Sequence, residues 1–117
     1  MRVVVVGSGV AGLTAARRLA DQGKVVTVLD KGRLAGGRLA TRRLVGGAAA
    51  DHGAQFITAR SELFEAELAS WLADRTIHEW CRGFGSPDGH PRYAAAGGMS
   101  RLVERMAAGL DLSLIHI

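Results

Sequence analysis

The stretch that most restricts the fold is RVVVVGSGVAG, a run of valines that ends in glycines at positions 7, 9 and 12. A valine run with no polar alternation is the pattern of a parallel strand covered on both faces. Gly7 permits a tight turn out of the strand, Gly9 lets a backbone approach a pyrophosphate, and Gly12 allows a helix to pack closely on the strand. The helix follows at once. Leu13, Ala16, Leu19 and Ala20 form one apolar stripe, Arg17, Arg18, Asp21 and Gln22 point away from it, and Gly23 falls where a helix C-cap glycine belongs. Val25 to Leu29 reads as a second buried strand, ended by Asp30, 18 positions after Gly12.

Glycine triplets arise by chance, but this one leaves a strand, opens a helix and precedes an acid at the end of the next strand. That context specifies an α/β fold, a Rossmann-type FAD/NAD(P)-binding domain in its N-terminal part. The helix start offers unpaired N–H groups and the positive end of its dipole to phosphate. Asp30 would accept from a ribose hydroxyl and repel a 2′-phosphate, which favours FAD or NAD over NADP. The next segment, KGRLAGGRLATRR, holds five basic residues and no acid. Its Gly36-Gly37-Arg38 supplies a second close backbone approach and a guanidinium for pyrophosphate oxygens, an element that an NAD dehydrogenase does not need. A solvated basic loop is the plain alternative.

Further on, Ala40–Val45 and Ala48–Asp51 are expected to form a hairpin turning at Gly46-Gly47. Ser61–Ala73 reads as a helix with Phe64, Leu68, Trp71 and Leu72 on its apolar face. Thr76–Trp80 and Arg92–Ala96 read as short strands around a loop with Gly83, Gly85, Pro87 and Gly89. A third helix starts at Ser100, carries Leu102, Val103 and Met106, and stops near Gly109. No linker along this stretch separates two domains. The last six residues, LSLIHI, can be encoded by CTGTCTCTTATACACATC, a transposase adapter used in sequencing. Native coding is therefore expected to stop near Asp111, with a short genuine strand as the alternative. If Trp71 and Leu72 pack on a missing domain, the isolated chain would expose apolar surface there.

Composition narrows the function. A net charge of +4, with 13 of the 15 basic residues arginine, suits phosphate contacts. Nucleic acid is an unfavoured partner, because the charge is mild and interleaved aromatics are few. The single cysteine, Cys81, excludes an internal disulfide and a cysteine-rich metal site, and points to a reducing, cytoplasmic setting. The N-terminal apolar run is far too short to span a bilayer, so no membrane role is expected. His52 beside Asp51 suggests a proton-transfer pair, but adjacent strand residues face opposite ways. His78 and His90 lack metal-ligand spacing with Glu79, Cys81 or Asp88, and His116 lies in the suspected adapter. Trp71 and Trp80 read as core, and Arg101 and Arg105 as a solvated helix face.

Four stretches in order, VVVVGSGVAG, VLDKGRLAGGRLATRR, DHGAQFITAR and RYAAAGGMSRL, resemble the FAD-dependent amine oxidoreductases, and within them the renalase-like flavoproteins. The resemblance runs from residue 1 to about residue 110. It implies FAD at the junction of a Rossmann-type domain, residues 1–60, and a substrate or cap domain of which residues 61–111 are the truncated start, with the strand that completes the FAD site in absent sequence. Carried over, Gly7, Gly9, Ala11 and Gly12 form the pyrophosphate turn, Asp30 and Lys31 lie at the adenosine ribose, and Arg38 contacts pyrophosphate beside Gly36 and Gly37. Gly53, Ala54, Gln55 and Phe56 run near the isoalloxazine. The chain departs from the wider pattern with Asp30 where glutamate is commoner and Gly32 where some members place arginine. The implied activity is hydride transfer from a small substrate to flavin, with oxygen as acceptor and catalytic residues unassigned. An NAD-binding dehydrogenase and a non-catalytic nucleotide-binding module are the competing functions.

Overall fold

The structure is a computed structural model that describes residues 1–85 and 89–115. Pro87 and Asp88 of the glycine-rich loop, and His116 and Ile117 at the end of the suspected adapter, lie outside the described residues. Strand β1 (Arg2–Val6) leads through the glycine turn into helix α1 (Val10–Asp21), which returns to β2 (Val25–Leu29). The two strands pair in parallel from Arg2 opposite Val25 to Val6 opposite Leu29. Gly23 takes φ +78° just past α1, the left-handed conformation that ends helices.

Then come a 3-10 turn (Gly37–Leu39) and the hairpin β3 (Thr41–Arg43) and β4 (Ala49–Asp51). Both residues of its turn, Gly46 and Gly47, have φ +86°, which a side chain at those positions would resist. Helix α2 (Glu62–Ala73) begins where the Ser61 hydroxyl accepts the Phe64 N–H. Strands β5 (Ile77–Cys81) and β6 (Arg92–Ala95) form a second antiparallel pair. Helix α3 (Ser100–Ala107) leads to β7 (Asp111–Ser113).

That last strand pairs in parallel with β2, so the sheet order is β1-β2-β7. A third parallel strand therefore lies within this chain, and its Leu112 and Ser113 come from the stretch for which a short genuine strand is the alternative to an adapter. Leu112 serves it by packing with Ala16, Val26 and Val28, and an alternating DLS triplet is too short to stand out in sequence.

The expectation that β1 is covered on both faces is not met among the described residues. Val3 and Val5 are half-buried under α1, whereas Val4 and Val6 are 59% and 83% exposed. Among the described residues the helix covers one face, and a valine run does not reveal how many faces have a neighbour. The main core joins Leu13 of α1 and Leu39 of the 3-10 turn to Leu68, Trp71, Ile77, Met99 and Leu102. Trp71 and half-buried Leu72 thus pack inward within this chain, because α2 lies against its own hairpin and the other helices.

Candidate nucleotide-binding site

The first glycine turn is built by contacts that leave no room for a Cβ. Gly7 has φ +102°, and its N–H donates to the Leu29 carbonyl at 2.7 Å. A Cβ on Gly12 would stand 1.8 Å from the Gly7 carbonyl oxygen. At Gly9, by contrast, a Cβ would meet nothing within 4 Å, so the backbone there borders open space. Gly9 is the N-cap of α1; no side chain caps that end and its first turn carries no acid. The positive end of the helix dipole is left available to an anion.

The second glycine element lies directly against the first. The Gly36 N–H donates to the Ser8 carbonyl at 2.8 Å, and a Cβ on Gly37 would lie 3.7 Å from the Gly9 Cα. Gly36 has φ +116° and is buried against Val103 of α3, whose Cγ2 would be 2.7 Å from an added Cβ. The third wall is the segment after β4. Ala54 donates its N–H to the Arg38 carbonyl at 2.7 Å, and a Cβ on Gly53 would sit 2.1 Å from that oxygen. Together Gly9–Ala11, Gly36–Leu39, Gly53, Ala54 and Ile57 line a cleft of about 790 Å³. The Arg38 side chain is exposed beside it.

Asp30 ends β2 as expected, and its carboxylate already has partners. Oδ2 accepts the Ser8 N–H at 2.6 Å and the Ser8 hydroxyl at 2.5 Å, while Oδ1 accepts the Gly32 N–H at 2.7 Å. The Ser8 hydroxyl above all, then the two backbone donors, hold the Asp30 carboxyl below its ordinary value. Ser8 is fully buried. It links Asp30, the first turn and Gly36, a role that only its place as the polar residue of the turn hints at in the sequence. Lys31 is exposed next to Asp30.

Of the segment after β4, Gly53 and Ala54 face the cleft, and so does Ile57, which the sequence does not single out. Gln55 is exposed. Phe56 turns to an aromatic cluster, with ring centroids 6.1 Å from Trp80 and 5.4 Å from Phe84. Trp80 is 49% exposed and not core as expected; its ring instead meets those of Phe56 and Phe84 at the surface. The backbone of Ile57 exchanges two hydrogen bonds of 2.9 Å with Tyr93 of β6, tying this wall to the β5–β6 hairpin. His52 is exposed, and Asp51 turns from it to Thr41, so the two form no pair. No group of three potential metal ligands occurs among the described residues, and none of their helices is long and apolar enough to cross a membrane.

A parallel strand–helix–strand unit whose glycine turn borders an anion-ready cleft defines a nucleotide-binding α/β domain. Residues 5–68 match the family described as the NAD(P)-binding Rossmann-like domain, and the chain belongs to that family. It is 39% identical over 84 residues to an L-amino-acid oxidase of Mus musculus, covering 72% of this chain and 11% of that protein. It is 49% identical over 57 residues to lysine-specific histone demethylase 1 homolog 3 of Arabidopsis thaliana, covering 49% of this chain and 4% of the relative. A hydroxyneurosporene desaturase of Rubrivivax gelatinosus is 48% identical over 59 residues, 50% of this chain and 11% of its own. The chain thus spans about a tenth or less of the length of these relatives.

Proposed function

We propose that the cleft holds the pyrophosphate of FAD, and that the chain is the nucleotide-binding part of a flavin-dependent oxidoreductase of the amine oxidase and desaturase type, on the renalase-like pattern. The observation that carries this reading is the meeting of two glycine turns beside one exposed arginine. A dinucleotide held by one turn would need only the first. Gly7, Gly9, Ala11 and Gly12 would shape the turn around the pyrophosphate, Gly36 and Gly37 would admit it from the other side, and Arg38 would pair with its oxygens. A carboxylate has about four acceptor positions. Asp30 uses three on Ser8 and Gly32, which leaves one for a ribose hydroxyl, with Lys31 alongside.

Gly53, Ala54, Gln55 and Phe56 are assigned to the ring end of the cofactor. Held there, the flavin would supply the redox chemistry, with a small-molecule substrate as hydride donor and oxygen as the final acceptor. The protein's part is to bind and orient it. The names of the relatives, an amino-acid oxidase and a desaturase, support this class. We place the protein in the cytoplasm, with neither nucleic acid nor membrane as partner.

Titration of the chain with FAD, NAD and NADP tests the reading. FAD is expected to bind with a change in flavin fluorescence and to be displaced by ADP, with NAD weaker and NADP weakest. Tighter binding of NAD than of FAD would overturn it and favour a dehydrogenase.

A further inference from the structure

Helix α3 packs behind one wall of the cleft, with Val103 against Gly36. Its N-cap is Met99, fully buried and without a side-chain cap. The cap comes instead from the β3–β4 hairpin, far off in sequence. The Met99 N–H donates to Asp51 Oδ1 at 2.9 Å, and the Ser100 N–H donates to the Thr41 hydroxyl at 2.9 Å. Thr41 and Asp51 are cross-strand partners, and the Thr41 hydroxyl donates to the same Asp51 oxygen at 2.6 Å. An acid at a helix N-terminus also complements the dipole. The fit is close, since a Cβ on Gly98 would lie 2.6 Å from Thr41. At its other end, α3 is held to α1: Arg17 donates to the carbonyls of Met106, at 2.8 Å, and of Ala108.

Each end of this arrangement touches a wall of the cleft. Val103 of α3 abuts Gly36. Asp51 stands two residues before Gly53, which abuts Arg38. The Arg17 contacts fix α3 to the helix whose N-terminus borders the cleft. We infer that Thr41 and Asp51 are positioning residues for nucleotide binding: by capping α3 they hold the Gly36–Arg38 turn at its distance from the α1 N-terminus, touching no ligand themselves. The inference rests on the reading of the cleft as a pyrophosphate site. It goes beyond that reading in giving the hairpin and α3 a part in affinity.

The test measures affinities of the chain for FAD, ADP and adenosine, together with unfolding temperatures, for Thr41→Val, Thr41→Ser, Asp51→Ala and Asp51→Asn. Val keeps the shape and loses the hydroxyl, Ser restores it, and the Asn carbonyl can still accept both bonds. T41V and D51A each lose two part-buried hydrogen bonds of this network, and FAD and ADP should bind them about tenfold more weakly. T41S and D51N should stay near wild type, and adenosine, which lacks phosphate, should bind all five proteins alike. A core control, Ile77→Val, should lower the unfolding temperature without changing affinity. Affinities of T41V and D51A equal to wild type, or losses that follow unfolding temperature in I77V as well, would overturn the inference while leaving the cleft reading intact. A wild-type chain that binds neither FAD nor ADP would overturn both.

Discussion

The two glycine elements of the cleft meet back to back, yet they are made in different ways. The first is closed by its own neighbours: Gly7 is bonded to Leu29, Gly12 is pressed on Gly7, and Ser8 is latched to Asp30. Everything it needs lies within about thirty consecutive residues, as expected of a strand–turn–helix–strand unit. The second leans on distant chain. Gly36 is shaped by Val103, the Arg38 carbonyl by Gly53 and Ala54, and the hairpin behind them by the start of α3. A cleft can thus have one wall that is local in sequence and another that exists only once the tertiary fold has formed.

The largest expected effect comes from Gly12→Ala. Its Cβ would meet a backbone oxygen at 1.8 Å that cannot swing aside, so a loss of about 3 kcal/mol is expected in chemical denaturation, with nucleotide binding abolished. Gly36→Ala should cost roughly 2 kcal/mol, from its positive φ and from Val103. Adding Val103→Ala should recover part of that loss. A double mutant no better than the single would deny that α3 shapes the second turn.

Arg38→Ala separates binding from folding. Its exposed side chain predicts a stability change within about 0.5 kcal/mol, while FAD binding measured by fluorescence should weaken about tenfold through loss of a charge-assisted contact.

Ser8→Ala should cost about 1 kcal/mol of stability near neutral pH, for a single lost hydroxyl bond, a smaller effect than the tenfold loss of FAD binding in Arg38→Ala. Because the folded protein holds Asp30 below its ordinary value, the stabilisation is fully present above the usual carboxylate range near pH 4 and lost as pH falls through the folded value. The gap between wild type and S8A should therefore close on acidification, read from urea midpoints across that range. A gap that widens in acid would contradict the Ser8–Asp30 latch.

The same contrast explains what could be read from the chain. The first turn, Asp30, the Gly46-Gly47 hairpin and the Ser61-capped helix follow from neighbours in sequence, where periodicity and turn chemistry carry the signal. Val4 and Val6 mislead because a strand's composition records its propensity and not the presence of a covering layer. The roles of Thr41 and Asp51 are invisible because their partners at Ser100 and Met99 stand 59 and 48 residues away. Phe56 was legible as part of a motif, but its direction depends on Trp80 and Phe84, which the hairpin brings to it.

The claim that both turns serve one ligand is tested most directly by following backbone amide resonances during titration with FAD. The account predicts that the amides of Gly9–Gly12 and of Gly36–Arg38 shift together and saturate with one dissociation constant. Shifts confined to the first turn, or two different constants, would contradict it.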